Sequence, residues 1–226
     1  MCGAFTTPKG WNALALNPAE DWAELEESFA VRPFDAAVIV CDTPSGVKAG
    51  RADQWSLIPP FAKERQLKYS TFNARLDKLQ SSAVWKTAFP KRRCLIPANG
   101  FFERVPEKGA TKKRPYFVHR QDQAPFCFAG LWSKWHDEKN KRDLLSFTVI
   151  TTEPNELMHK IGHHRMPCIV NANDYEQWLN REVSDLDALC NLITEPCPAN
   201  LLNAYAVGHE INYRDQHGKQ TIEPLN

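Results

Sequence analysis

The second residue is a cysteine, in the opening tripeptide Met1-Cys2-Gly3. Amino-terminal processing normally removes a methionine that precedes a small residue, so the mature chain is expected to begin at Cys2. It would then carry a free α-amine and a thiol on adjacent carbons. Such a 1,2-aminothiol captures aldehydes in a way no internal cysteine can, because an internal cysteine's nitrogen is an amide. The amine condenses with the aldehyde to an imine, and the thiol adds to close a five-membered thiazolidine. An α-amine titrates at about 7.7–8.0 and a free thiol at about 8.5, so both are partly deprotonated near neutrality. A cysteine at this position can equally be incidental, and the rest of the chain has to decide.

Three further segments carry groups that could serve such a reaction. Asn73-Ala74-Arg75 follows an aromatic, basic stretch. The Asn73 amide could orient an amine or a carbonyl, and Arg75 could hold a phosphate. In Gly100-Phe101-Phe102-Glu103 the carboxyl follows two aromatics. Partial desolvation there would suit Glu103 to move protons near neutral pH. His163-His164-Arg165-Met166-Pro167 offers an acid–base imidazole and, in Arg165, an anion clamp. Taken singly, each also reads as a polar loop, a solvated strand carboxylate or a structural histidine. Adjacent histidines on a strand face opposite ways and chelate poorly. No metal and no cofactor is expected.

Basic runs lie at 91–93, 112–114 and 139–142, and Trp55, Phe61, Tyr69 and Trp85 lie near the basic residues of 63–75. Phosphate contact combined with base stacking is the usual recipe for holding a single strand. Charge runs are more often plain solvated faces, and that reading stays open.

The elements that must position these residues fit one domain of 226 residues, 42% hydrophobic and 11% aromatic, as in a globular protein. Net charge is +1, so any electrostatic footprint must be local. Strands are expected over residues 36–42, 94–104, 115–119, 126–132 and 145–151. Helices are expected over 19–29, 172–180 and 184–193, with a short one starting near Glu153 and reaching about His159. Strands and helices do not alternate regularly. That points to an α+β class, with mostly antiparallel strands and helices around them. Residues 106–114 read as a basic hairpin tip. No apolar stretch approaches the roughly 18 residues of a membrane span, and the first ten residues lack signal-peptide character. A cytoplasmic protein with reduced thiols is expected. Of the seven cysteines, Cys41, Cys94, Cys127 and Cys168 lie in apolar runs and read as core.

The order of the motifs is more specific than any one of them. Met-Cys-Gly at the start is followed by Trp-Ser-Leu-Ile-Pro from Trp55 and by Asn73-Ala74-Arg75. Next come Arg-Cys-Leu-Ile-Pro-Ala-Asn-Gly-Phe-Phe-Glu ending at Glu103, Phe-Ala-Gly-Leu-Trp ending at Trp132, and Thr-Val-Ile-Thr-Thr-Glu-Pro-Asn ending at Asn155. His-His-Arg-Met-Pro from His163 and Asn-Ala-Tyr-Ala-Val-Gly-His-Glu-Ile-Asn from Asn203 complete the set. This pattern closely resembles the SOS-response-associated peptidase (SRAP) family, from residue 2 to about residue 224. The resemblance implies a strongly bent, barrel-like, mostly antiparallel sheet with surrounding helices and a positively charged cleft. It implies a covalent thiazolidine between the N-terminal Cys2 and an abasic site in single-stranded DNA. Asn73, Glu103 and His163 are implied as the other catalytic residues, and Arg75, Arg165, Trp55, Lys86 and Thr152 as DNA contacts. A monomer is expected.

Several positions depart from the family pattern. Ala4 stands where members usually carry arginine, and Asp77 replaces a glutamate. Gly162 is an extra residue before His163, and only Pro33 survives clearly from a Tyr-Asn-x-Ala-Pro segment. Three other readings remain. An N-terminal-nucleophile amidohydrolase also begins Met-Cys-Gly, but this chain lacks the His-Arg-Gly-Pro segment such enzymes usually carry. Proteolysis would use Cys2, Glu103 and His163 to remove a residue ahead of Cys2, as self-processing more readily than as turnover of other proteins. A non-catalytic single-strand-binding module would need the basic cleft but not Cys2.

Overall fold

The computed structural model describes residues 2–107, 109 and 111–225. Strands are numbered in chain order. They are β1 (Ala4–Thr7), β2 (Ser28–Val31), β3 (Ala37–Thr43), β4 (Gly46–Ala52), β5 (Gln54–Trp55), β6 (Asn73–Arg75) and β7 (Arg93–Ala98). Then follow β8 (Gly100–Val105), β9 (Arg114–Arg120), β10 (Phe126–Asp137), β11 (Arg142–Thr152), β12 (Met166–Pro167), β13 (Ile169–Val170) and β14 (Leu202–Ala206). The helices are α1 (Glu156–Lys160), α2 (Tyr175–Leu179) and α3 (Leu186–Thr194).

The strands form two sheets, both largely antiparallel. One runs β14-β9-β8-β1-β2, and the other runs β12-β11-β10-β7-β3-β4. On the second sheet, β13 pairs with β10, and β5 and β6 lie parallel on β11. The α+β class holds. Among the described residues the bent, mostly antiparallel arrangement falls into two ladders, and no closed barrel forms. The surrounding helices are also few and short.

Residues 94–104, expected as one strand, divide at Asn99, whose N–H donates to the Thr6 carbonyl at 2.9 Å. β7 continues the second sheet and β8 the first. Gly100 makes this corner possible, because a Cβ there would fall 2.4 Å from the Phe117 ring. The two sheets share a core in which Phe5 and Phe101 meet Phe128 edge-on, at 5.8 and 5.9 Å between ring centroids. Burying such side chains contributes about 1.5–3 kcal/mol each. A second apolar layer packs α2 and α3, through Trp178, Leu179, Leu189 and Ile193, against β3, β7 and β10. Cys94, Cys127 and Cys168 are buried and Cys41 is partly so, as their apolar runs required.

Residues 19–29 are not helical. Their backbone is drawn into bonds with distant segments, Ala23 N–H to Ala49 O at 3.0 Å and Gly10 N–H to Leu25 O at 2.7 Å. Trp22 packs edge-on to Trp11, 5.1 Å between centroids. Tertiary pairing overrides the helical spacing there. The other helices fall where expected, with Asn155 capping α1 and Asp185 capping α3. Of the hairpin tip at 106–114, Lys108 and Ala110 lie outside the described residues. In the run at 91–93, Arg93 is buried and donates to the carbonyls of Phe89, Pro90, Trp178 and Asn180. It ties α2 to β7 and is closed to any phosphate.

Candidate active site

Cys2 lies just ahead of β1 at the seam between the sheets, fully buried. Its thiol donates weakly to the Ala4 carbonyl at 3.5 Å. Its own carbonyl accepts from Asn73 Nδ2 at 2.8 Å. Asn73 opens β6, and its register opposite Val149 on β11 fixes it. The Trp55 indole donates to the carbonyl of Phe72, the preceding residue, at 2.6 Å. Asn73 Oδ1 is buried and finds no hydrogen-bond partner among the described residues. A buried acceptor beside the second residue of the chain is placed to receive an amine N–H. Met1, whose removal is expected, lies outside the described residues.

Glu103 reaches the same point from β8. Ala4 pairs with Phe102, so the next step of that ladder sets Gly3 beside Glu103. The carboxylate is almost wholly buried, with Oε2 2.9 Å from His163 Nε2. His163 follows α1, its N–H bonded to the Met158 carbonyl at 2.9 Å. His163 Nδ1 lies 2.8 Å from the Arg165 carbonyl. A carbonyl only accepts, so Nδ1 carries a hydrogen. With Oε2 at Nε2, the two side chains form a buried carboxylate–imidazole pair. Gly162 turns the chain out of α1 with a φ of +84°.

The Cys2 thiol is pushed well above the ordinary range, first by burial and then by the negative charge of Glu103. Burial thus favours the neutral thiol, with the Glu103 carboxylate nearby.

The structure thus joins Cys2 to Asn73 and Glu103 to His163 at one place. It disposes of the expected DNA contacts differently. Trp55 is fully buried, its ring stacked on Phe147 and edge-on to Phe5, so it offers no face to a base. Its work is packing and holding Phe72. Arg165 is buried too, donating to Thr151 and, across 3.0 Å, to the exposed carboxylate of Glu153. Its backbone carbonyl is what orients His163. Thr152 is buried with its hydroxyl donating to the Thr194 carbonyl at 3.2 Å. Thr152, Glu153, Arg165 and Asp77 nevertheless line one cavity of about 410 Å³. Arg75 is exposed but gripped by Asp77 through two contacts of 2.9 Å. That pair holds the Asp77 carboxyl below its usual range. Lys86 is exposed.

Sequence reasoning missed Arg104 and Lys78. Arg104, partly buried beside Glu103, places a cation near the Cys2 thiol and the Glu103 carboxylate. Lys78 shares a groove of about 470 Å³ with Tyr69, Asn73, Arg75 and Trp85. Its sequence signal is its place five residues after Asn73, in the short 3-10 turn Leu76–Lys78.

Residues 1–214 match the family model described as SOS response associated peptidase (SRAP). The chain is 31% identical over 229 residues to the abasic site processing protein YoqW of Bacillus subtilis (strain 168), covering 99% of both. It is 32% identical over 185 residues to the abasic site processing protein YMR114C of Saccharomyces cerevisiae, covering 79% of this chain and 48% of that one. A solved protein from Bacteroides thetaiotaomicron superposes with a TM-score of 0.81 at 22% identity, over 100% of both chains. Another, from Bordetella bronchiseptica, gives 0.74 at 23% identity, over 92% of this chain and 100% of that one. These two share the fold. With the family model spanning most of its length and a relative above 30% identity end to end, the chain belongs to the SOS response associated peptidase (SRAP) family.

Proposed function

We propose that this protein, once Met1 is removed, captures the aldehyde of an abasic site in single-stranded DNA as a thiazolidine on Cys2. The observation that carries this reading is one contact on the second residue together with a carboxylate–imidazole pair next to it. Asn73 holds Cys2, and the Glu103–His163 pair lies beside it. The relatives' names, abasic site processing proteins, support the substrate class.

An abasic sugar is mostly a closed hemiacetal. Proton transfer by Glu103 opens it and frees the aldehyde. The Cys2 amine, its N–H accepted by Asn73 Oδ1, attacks the carbonyl carbon. His163 passes protons to the departing oxygen, and one water leaves as the imine forms. Until the thiol adds, the imine is an electron sink from which the strand can break by β-elimination. The Cys2 sulfur then bonds to the imine carbon, its proton moving by way of Glu103 to the ring nitrogen. Ring closure abolishes the sink and leaves the strand intact. A single strand suits a buried amine, because it bends to deliver the sugar without unpairing.

Intact mass spectrometry of the adduct tests the chemistry. The expected mass is Met1-free protein plus oligonucleotide minus one water, unchanged by borohydride because no imine remains. A mass that rises by two hydrogens on borohydride treatment would show an open imine and overturn the ring.

A further inference from the structure

Phe34 has a φ of +76°, a left-handed conformation that bulky side chains rarely adopt. It is also half exposed, at 50%. A large apolar residue that is both strained and solvent-facing needs a reason.

The turn explains how it is held. Arg32-Pro33-Phe34-Asp35 closes with Asp35 N–H on the Arg32 carbonyl at 2.9 Å. Proline second and a positive φ third is the type II pattern, which calls for glycine where Phe34 stands. Bonds from several sides impose it. Phe34 N–H donates to the Trp55 carbonyl at 2.8 Å, and Trp55 N–H to the Asp35 carbonyl at 2.7 Å. The Asp35 carboxylate accepts from Arg32 N–H at 2.8 Å and from the Arg214 guanidinium at 3.0 Å. Arg214 also donates to the Pro33 carbonyl at 2.9 Å.

The position follows from register. Val31 at the end of β2 pairs with Phe5, and the residues preceding Phe5 are Ala4, Gly3 and Cys2. Leaving that last pair, the chain turns at the Cys2 end of β1, on the side opposite Glu103, since β2 and β8 flank β1. Trp55, which accepts from Phe34, also bonds the carbonyl just ahead of Asn73. Phe34 thus follows the strand that pairs with β1 and is linked through Trp55 to the segment that carries Asn73.

We infer that Phe34 is a stacking platform for the base next to the abasic sugar, a role that rests on the single-strand reading above. An aromatic face accepts any base, so the contact positions the strand without reading its sequence. It supplies apolar grip at a site where Arg75 and Arg165 are both engaged by carboxylates.

The test uses Met1-free protein and single-stranded oligonucleotides carrying tetrahydrofuran, which has no aldehyde, flanked on one side or the other by fluorescent 2-aminopurine. Wild type is expected to bind and to quench the fluorophore on one flank. Phe34→Gly, which relieves the turn, is expected to melt no lower than wild type, to bind about 5- to 50-fold more weakly and to lose the quench. Phe34→Trp should keep both. Unchanged affinity and quench in Phe34→Gly, or no quench by wild type on either flank, overturns the inference. Crosslinking to a true abasic oligonucleotide is scored separately. A crosslink with Phe34-independent binding removes only the platform, whereas Phe34-dependent binding with no crosslink removes only the covalent chemistry.

Discussion

Asn73 donates to the Cys2 carbonyl across 2.8 Å, and so fastens a strand of one sheet to the leading end of a strand in the other. The site is a property of that seam. β6 is held by its parallel pairing with β11, and β1 is held between β2 and β8. Neither sheet alone brings an amide acceptor and a buried acid–base pair to the same cysteine.

If Glu103 opens the sugar and moves protons, Glu103→Gln should slow adduct formation by about 10²-fold while leaving noncovalent binding intact. The glutamine is isosteric and keeps a partner for His163. His163→Ala is different, because it takes the imidazole away from a buried carboxylate and should lower stability as well as rate. Single-turnover gel kinetics and urea melts on both variants separate the roles. A Glu103→Gln rate equal to wild type would remove Glu103 from the chemistry.

Asp77 holds Arg75 in an ion pair, which on the proposed reading withholds it from DNA. Asp77→Asn should release the guanidinium for one more phosphate, steepening the dependence of log K on log salt by about 0.7. Affinity should rise at low salt. Acid should mimic the variant in part. The Asp77 carboxyl is held below its usual value by Arg75, so the pair survives the ordinary carboxylate range and is lost only as pH falls through the lowered value. Fluorescence anisotropy at several salt concentrations reads this, and an unchanged slope would mean that Arg75 makes no phosphate contact even when free.

Alkali should destabilise the fold through its thiols. Burial raises Cys2, Cys94, Cys127 and Cys168 above the ordinary value of 9.0, with Cys127 reaching about 12. Stability from these neutral thiols is complete below pH 9. It is lost as pH rises from there through the folded values, because only the unfolded chain releases the protons. Each thiol contributes about 1.4 kcal/mol per pH unit in that window. Urea melts at pH 7.5, 9 and 10 should show a flat region and then a fall, and Cys127→Ala should shallow the fall. A midpoint that stays level from pH 9 to 10 contradicts this.

That Cys2, Asn73, Glu103 and His163 would gather was legible because motif order constrains them, and the topology then supplied their distances. Helices with capping residues were legible too, as at Asn155 and Asp185. What failed was exposure. Trp55 and Arg93 sit in stretches that read as aromatic–basic surface, yet one is core and the other ties buried carbonyls. A run of charge or aromatics does not say which face a side chain takes, and that depends on strand partners far away in sequence. The division at Asn99 was hidden for the same reason, since nothing in the apolar run 94–104 announces that its halves join different sheets. Phe34 escaped notice because its strain exists only in the backbone.

The most direct measurement mixes Met1-free protein with a single-stranded oligonucleotide bearing one abasic site, then resolves the products on a denaturing gel after heating. Wild type should give a heat-stable shifted band that an intact oligonucleotide does not give, and Cys2→Ala should give none. A band retained in Cys2→Ala, or no band from wild type with Met1 loss verified, would contradict covalent capture by Cys2.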